Sequence, residues 1–326
     1  MKSNCRILVK WLLAGLILLL AGCHNTPPVV KIGLIAPFEE LYRLDGYATL
    51  YAVQLAIEER NAAGGVAGRQ VALVALNDDG QPAEAVRQAA SLGVDASVLA
   101  VIGPTQRAAA LGAGKVLARQ ELVWISLASL SGAELPGGFT LEAAPEQLRS
   151  AVAASQALPV VVASEPVTLT APTALVWLGD AASGAASLQQ LPADVSFVGG
   201  PEIGSLVFAG RAGAAAQGVS WLSVGPDPAA LPASFVTAYQ RLAGRQPSPQ
   251  AVLAYDAANL VLDALERAVK DGSTRLSRPQ IAQAVAELGQ QGWQGLSGPV
   301  FWQVEACPTA QPCGLRRDPP IGVHHW

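Results

Sequence analysis

The chain has 326 residues, of which 51% are hydrophobic and 14% charged, and its formal net charge is -4. This length can bury a sizeable core and suits one large or two medium domains. The acidic excess and the lack of a basic stripe exclude nucleic acid as a partner, and the sequence offers no polybasic patch for a membrane surface.

The N-terminus has the pattern of an exported protein. Lys2, Arg6 and Lys10 precede the apolar run "WLLAGLILLL", which is shorter than the ~20 residues that span a bilayer. We therefore predict a signal peptide over residues 1–22. The run ends in "LAGC", which resembles the bacterial lipobox and implies that Cys23 is lipidated. In the alternative interpretation, Cys23 only lies beside an ordinary cleavage site.

Lipidation at Cys23 would make the mature chain an extracytoplasmic protein of the bacterial cell envelope, anchored to a membrane by its lipid. Residues 23–30 would then form a short tether that is stiffened by proline.

Strands alternate with helices after the tether. Short apolar runs predict strands at Lys31–Ala36, Gln70–Leu76, Val98–Gly103, Leu122–Ser126, Phe139–Pro145, Pro159–Ser164, Ala174–Gly179, Val195–Gly200, Gly218–Gly225 and 298–304. Helical spacing and helix-start signals predict helices around Leu50–Ile57, from Pro82 to about Gly93, up to about Gln120, and over about Glu146–Ala157, Ala181–Gln190, Ala251–Lys270 and Pro279–Leu288. This rhythm indicates an α/β protein with doubly wound parallel sheets.

The stretch "AGGVAGR" (Ala63–Arg69) packs three glycines into seven residues. A phosphate-binding loop of this kind follows a strand and opens a helix. Here the stretch follows a helix and precedes a strand, so the glycines are expected to cap the helix and turn the chain.

Two cysteines remain once the signal peptide and the lipidated Cys23 are set aside. Cys307 and Cys313 lie close together in an exported chain, so we predict a local disulfide. A metal site is the alternative, but the three histidines (His24, His324 and His325) lie at the chain ends. The terminal "HHW" is predicted to be a frayed tail, and no metal or cofactor is expected.

Several motifs occur in the order found in one family of transport proteins. They are "KIGLIAPF", "NAAGGVAGRQVALVALNDDGQPAEAV", "VIGP", "ISLAS", "FVGGPE", "AYDAANLVLDALERA" and "GLSGPV". Together they resemble the type I periplasmic binding proteins of the branched-chain amino-acid (leucine/isoleucine/valine-binding) family, the substrate-binding proteins of ABC transporters.

The resemblance implies two Rossmann-like lobes with parallel sheets, joined by crossover strands, with a small ligand in the cleft between them. Lobe 1 would comprise residues 31–143 and about 226–292, and lobe 2 about 144–225 and 293–326. Open parallel sheets bind ligands beyond the carboxyl ends of their strands, which agrees with a cleft in this place.

The resemblance also implies the ligand-binding residues. In amino-acid-binding members, a hydroxyl and backbone N–H groups hold the carboxylate, while a carbonyl and an acid from the second lobe hold the ammonium. Carried onto this sequence, the set that holds the carboxylate is Gln106 or Arg107 in "GPTQR", with Ala128, Ser129 and Ser131 in "LASLS". The acid is Glu202, Asp180 is another cleft residue, and Tyr42 forms an aromatic wall.

Each of these residues also has a purely structural interpretation. Arg107 could be a solvated helix arginine, although its fork also suits a carboxylate or phosphate. Asp180 could cap the following helix, Glu202 could be a turn residue, and Tyr42 could be a packing residue. Ser129 and Ser131 could begin a helix, whose N-terminus would itself attract an anion.

The resemblance implies that the second lobe is short, because only "PVVVAS" and a Pro-rich loop fill the space before "ALVWLG", where family members usually have about two βα units. Three functions therefore compete. The first is a lipid-anchored solute-binding protein that hands a small polar ligand to the permease subunits of an ABC importer. The second is a ligand-sensing or structural surface lipoprotein with a degenerate cleft. The third is an enzyme, which we do not expect because the chain has no nucleophile-elbow or metal-ligand motif.

Overall fold

The computed structural model describes residues 28–133, 136–155, 158–169, 172–270, 276–303 and 311–326. The signal peptide, Cys23 and Cys307 lie outside these residues, so the lipidation and the pairing of Cys307 stay predictions. Cys313 is disulfide-bonded.

The described strands are β1 (Val29–Ala36), β2 (Gln70–Asn77), β3 (Val98–Ile102), β4 (Val123–Ser126), β5 (Gly138–Thr140), β6 (Val160–Ala163), β7 (Thr173–Trp177), β8 (Val195–Gly199), β9 (Ser220–Val224), β10 (Trp293–Gly295), β11 (Gly298–Gln303), β12 (Gly314–Arg317) and β13 (Ile321–His325). The described α-helices are α1 (Arg43–Ala62), α2 (Pro82–Val94), α3 (Arg107–Arg119), α4 (Pro145–Ser155), α5 (Ala181–Leu188), α6 (Leu206–Ala212), α7 (Ala233–Ala243), α8 (Pro249–Lys270) and α9 (Arg278–Gln291). Every predicted strand and helix overlaps one of these elements. The α/β fold class with two sheets of mainly parallel strands is thereby confirmed.

The larger sheet has eight strands in the order β10-β11-β12-β5-β4-β3-β1-β2. Strands β1 to β5 are parallel to their neighbours, whereas β10, β11 and β12 pair antiparallel with one another. Alternate side chains of β1 enter different cores, since Ile32 and Leu34 face one cluster and Ile35 faces another. Both faces of this sheet are therefore covered by apolar side chains, as a parallel sheet requires.

The smaller sheet has five strands in the order β13-β9-β8-β7-β6, and only β13 runs antiparallel to its neighbour among these described strands. Trp177 and Phe208 are fully buried in the cluster on one face, and Leu148 of α4 packs with Val176 on the other. Residues 164–169, in the Pro-rich segment, contain no helix or strand, as predicted.

The chain passes between the two sheets three times: after β5, after β9 and after β12. The third passage corrects the predicted domain division, which placed residues 293–326 in lobe 2. Strands β10 to β12 pair within the larger sheet, and only β13 joins the smaller one. The reason is that β12 pairs with β5, a contact between distant parts of the sequence that periodicity does not reveal.

The glycine-rich stretch after α1 is a turn, as predicted. Gly64 and Gly65 have positive φ angles of 104° and 78°. A Cβ atom on Gly65 would lie 2.0 Å from the carbonyl oxygen of Arg69, so a larger residue would displace the backbone that leads into β2.

The C-terminal residues are ordered, so the prediction of a frayed tail was wrong. β13 pairs along its whole length with β9, and the Trp326 indole N–H donates to the carbonyl of Ile203 at 2.8 Å. His324 is buried against Trp221, with ring centroids 4.4 Å apart. Within the described part of the chain, no helix is both long and apolar enough to cross a membrane.

Candidate functional site

A cleft lies between the two sheets, at the loops that follow the carboxyl ends of their parallel strands. It contains two adjoining cavities, the first of about 50 Å³ and the second of about 80 Å³. The first is lined by residues that include Asp45, Thr105, Gln106, Trp221, Ser223 and Gln250. The second is lined by residues that include Arg107, Ala128, Ser129, Leu148, Leu178 and Gly200. Leu127, Glu142, Pro201 and Glu202 line both cavities, so the two form one continuous site.

Glu202 lines both cavities of this cleft, and its contact with a ligand stays a prediction. It lies in a 3-10 turn, Pro201–Gly204, directly after β8, and the buried Ile203 fixes that turn against the smaller sheet. Burial raises the pKa of Glu202 to about 8, and the nearby carboxyls of Asp45, Glu142 and Asp180 add to the shift. Among the described residues, no group donates a hydrogen bond to its carboxyl, which is therefore available to a ligand.

Glu142 is a cleft residue that the sequence analysis missed. It follows β5, its side chain is only 4% exposed, and its Oε1 accepts a hydrogen bond of 2.8 Å from the N–H of Ala143. Burial raises its pKa to about 7, against the opposing effect of Arg316. The available signal was a single acid inside the apolar run "FTLEAAP", since a buried carboxylate without a function is rare.

Asp45 is the third carboxylate of the cleft and was also missed. It lies in the first turn of α1, where an acid is commonly a favourable partner of the helix dipole. Its Oδ2 accepts a hydrogen bond of 2.5 Å from the hydroxyl of Ser205, the N-cap residue of α6. This bond joins an element of the larger sheet to one of the smaller sheet. Burial raises the pKa of Asp45, while Ser205 and Arg245 lower it.

Arg107 lines the second cavity, but its guanidinium is bound within the protein. It donates to the carbonyl of Ser129 and, at 2.7 Å, to the carbonyl of Ser131. Arg107 is exposed, and its predicted contact with a ligand stays a prediction. It holds the loop after β4 against the first turn of α3.

The loop after β4 contributes Ala128 and Ser129 to the second cavity, whereas Ser131 lines neither cavity. The N–H of Ala128 already donates to the hydroxyl of Ser126 at 3.1 Å. Residues 127–133 form bends and a turn, so the alternative interpretation, in which Ser129 and Ser131 begin a helix, does not apply. No helix dipole therefore attracts an anion at this loop.

Gln106 is the N-cap residue of α3 and lines the first cavity. Its side chain does not cap the helix, and its Oε1 accepts a 2.8 Å hydrogen bond from the hydroxyl of Thr105. Gln106 and Thr105 of the predicted first loop both line the cavity that also contains the three carboxyls.

Tyr42 and Asp180 stand beside the cavities rather than in their lining. Tyr42 precedes α1 and packs against the apolar cluster of the smaller sheet. Burial raises its pKa, and the charges of Asp180, Glu202 and Asp45 raise it further, so its ring lies close to the acidic cleft. Asp180 is the N-cap of α5 and accepts a 2.9 Å hydrogen bond from the N–H of Ser183, which confirms its structural interpretation.

The positive charge nearest to Glu142 is buried behind it. Arg316 is 2% exposed and donates to the carbonyl of Pro299 at 2.9 Å and to the hydroxyl of Ser297 at 3.0 Å. Burial lowers its pKa to about 10, and Asp256 and Glu142 oppose this shift. Its N–H groups are thus committed to the protein, and the described residues include no group of His, Cys, Asp and Glu arranged to hold a metal.

Comparison with known proteins supports the fold described above. Residues 29–160 match the family described as periplasmic binding protein. No curated protein sequence matches the chain. The solved structure of the branched-chain amino acid transporter substrate-binding protein LivJ from Streptococcus pneumoniae, in complex with isoleucine, is 20% identical. It has a TM-score of 0.73, with 91% of this chain and 96% of that chain covered.

Two further solved structures are similar. The leucine-binding protein LivK from Thermotoga maritima is 20% identical, with a TM-score of 0.71, and the match covers 91% of this chain and 95% of that one. The solute-binding protein of an ABC transporter from R. palustris, in complex with benzoate, is 16% identical, with a TM-score of 0.66 and 91% and 93% covered.

This is the fold of a periplasmic binding protein. The resemblance inferred from the ordered motifs is confirmed, because the matched family and the similar structures are those expected. The periplasmic-binding-protein fold extends over the C-terminal half as well, since the structural matches cover 91% of the chain whereas the family match ends at residue 160.

Proposed function

We propose that this protein is the solute-binding component of an ABC importer, which binds a small polar ligand between its lobes and delivers it to permease subunits. Amino acids or related compounds are the proposed ligand class. The fold of LivJ and LivK supports the proposal. The observation that carries it is that Glu142 and Glu202, which follow strands of different sheets, line the same two adjoining cavities.

The proposal includes an extracytoplasmic location and a lipid anchor at Cys23. The "LAGC" sequence at the end of the apolar run supports the anchor. Mass spectrometry of the native N-terminus should show a diacylglyceryl mass on Cys23. A mature N-terminus without this mass would refute the anchor without affecting the binding proposal.

The proposal assigns binding and no catalysis. Ser223 lines the first cavity, and its hydroxyl lies 3.0 Å from Nε2 of His324, a residue that lines neither cavity. We expect any bound ligand to be recovered from the protein with its mass unchanged. A ligand that is converted during incubation would instead support an enzyme.

A thermal-shift screen of the full chain in detergent tests the binding proposal. The panel contains amino acids, small peptides, carboxylates, amines, sugars and nucleosides. A ligand at about 100 times its Kd stabilises a protein by about 2.7 kcal/mol, which gives a readable shift. If no compound of the panel raises the unfolding temperature of the folded protein, the alternative is favoured, which is a surface lipoprotein with a degenerate cleft.

The predicted shortening of the second lobe would favour that alternative, because a shorter lobe covers a ligand less completely. The described part of this lobe has a five-stranded sheet with the irregular segment 164–169 beside β6. The screen therefore distinguishes two functions that the fold alone does not separate.

A further inference from the structure

We infer that the ligand of this cleft is a small organic cation with net positive charge, whose ammonium or guanidinium group contacts Glu142 and Glu202. The inference rests on the proposed function and narrows its ligand class. It excludes neutral amino acids, which carry one ammonium and one carboxylate, as the preferred ligands.

The lining of the first cavity is acidic. Asp45, Glu142 and Glu202 come from three separate segments, and all three line the first cavity. None of the residues that line this cavity is Lys, Arg or His; the other polar ones are neutral, such as Thr105 and Gln250. Three carboxylates at one site repel one another, and a bound cation relieves that repulsion.

The arginine that lines the second cavity and the arginine behind Glu142 are both already bound by the protein. Arg107 donates to two carbonyl groups of the loop after β4. Arg316 donates to Ser297 and to Pro299 behind Glu142. A carboxylate on the ligand would therefore have to displace one of these bonds, so a neutral amino acid is disfavoured relative to a ligand that carries an additional positive charge.

The carboxyl oxygens of Glu202 are available as hydrogen-bond acceptors. Glu202 receives no hydrogen bond from any described residue, although it lies at the junction of both cavities. A carboxyl in such a place needs donors, and ammonium and guanidinium groups supply several at once.

The second cavity accounts for the rest of the ligand. Its apolar lining comes from Leu148, Leu178, Ala143 and Pro145, which suits an aliphatic stem. An organic cation with such a stem is also favoured over a bare divalent metal, for which the described residues form no cluster.

Binding of a cation should change the number of protons bound by Glu202 and Glu142. Burial and the neighbouring carboxyls hold the pKa of Glu202 at about 8, and burial holds that of Glu142 at about 7. In the empty cleft at neutral pH, Glu202 is therefore mostly protonated and Glu142 is about half protonated, which lessens the repulsion among the three carboxyls. A cation that binds between them favours their charged forms, so binding releases protons into the buffer.

Isothermal titration of the full chain in detergent at pH 7.5, in two buffers of different ionisation enthalpy, tests these points. The probes are arginine, lysine, putrescine, leucine and glutamate. We expect the cations to bind with proton release, and leucine and glutamate to bind at least about tenfold more weakly. Preference for arginine and lysine over putrescine would identify a basic amino acid, and the reverse preference an amine.

Variants locate the site. Glu202→Gln should weaken binding of the preferred cation by about 10- to 100-fold, the range expected when a charged hydrogen-bond partner is lost, and should reduce proton release. Glu142→Gln serves as a second variant, and a thermal unfolding curve confirms that each folds. Glu58→Gln removes an exposed charge of α1 outside the cleft lining and should leave binding unchanged.

Two outcomes overturn the inference in different ways. If leucine or glutamate binds as tightly as the cations, the charge argument fails and the proposed function stands. If folded protein binds none of the five probes and none of the broader panel, the proposed function itself fails.

Discussion

The guanidinium of Arg107 contacts two carbonyl groups of the protein, although its position after "GPT" suggested a ligand contact. Replacement of Arg107 by alanine should therefore lower the free energy of unfolding, by about 1 kcal/mol, because two hydrogen bonds from a charged donor at a partly exposed site are lost. Urea denaturation measures this change.

The control is Lys115→Ala, an exposed position on the same helix with no described hydrogen bond, which should have little effect. The interpretation of Arg107 as a loop brace would be wrong if Arg107→Ala left stability unchanged and abolished ligand binding.

The pKa values of the cleft carboxyls predict how stability depends on pH. Glu202 and Glu142 titrate at about 8 and about 7 in the folded protein and near 4.5 otherwise. Their contribution to stability is complete below pH 4.5 and is lost as the pH rises through 7 and 8, because the folded protein binds these protons more tightly. The other titratable groups that face Glu202 are Asp45, Asp180 and Tyr42.

The ligand-free protein should therefore be less stable at pH 9 than at pH 6, by on the order of 1–3 kcal/mol. Urea denaturation at both pH values measures the difference. Glu202→Gln should flatten the dependence and Glu58→Gln should not. Greater stability at pH 9 than at pH 6 would contradict the assignment of raised pKa values.

The predictable part of the site is the part that lies in recognisable motifs. Glu202 and Gln106 follow "FVGG" and "GPT", and the structure brings both to the cleft. Asp45 and Glu142 were not predicted as cleft residues, because each has an ordinary local explanation. Asp45 is an acid in a first helical turn, and Glu142 lies near a strand end. Only the docking of the two sheets makes them neighbours.

At the scale of elements, β13 supports the turn that carries Glu202. Trp326 donates its indole N–H to Ile203, and its backbone N–H donates to Val219. Replacement of Trp326 by alanine should lower the free energy of unfolding by about 1–3 kcal/mol and should weaken ligand binding through displacement of the turn. Denaturation and titration curves measure the two effects.

Val323→Ala is the matched control, because this side chain of β13 is 58% exposed and its loss should cost little. Unchanged binding by a destabilised W326A variant would show that β13 stabilises the smaller sheet without positioning Glu202.

The elements that the sequence predicted well are those with strong local signals. Buried parallel strands such as β1 and β3 are continuous apolar runs bounded by polar residues, and long helices such as α8 show apolar periodicity. The missed strands β12 and β13 are short and contain Arg or His. They exist because β5 and β9 offer open edges far away in the sequence.

At the scale of the whole molecule, the hydrogen bond between Ser205 and Asp45 links the two lobes directly. Asp45→Ala removes the acceptor and should shift the ligand-free protein toward a more open arrangement, by up to about tenfold in population for a bond of this type. Small-angle scattering would show a larger radius of gyration.

Asp45→Asn keeps an acceptor for the Ser205 hydroxyl and should scatter like the native protein. Equal radii for the native protein, D45N and D45A would mean that other contacts between the lobes determine the arrangement.

The direction of β1 has a consequence for how the molecule would stand on a membrane. The chain enters the larger sheet at Val29, and the cleft lies beyond the opposite ends of the parallel strands. An eight-residue strand is about 26 Å long, whereas the five residues between Cys23 and Val29 reach at most about 18 Å. If Cys23 is the anchor, a molecule with β1 perpendicular to the membrane would have its cleft on the side away from the lipid. Delivery of a ligand to a permease would then require the protein to rotate on its tether until the cleft faces the membrane.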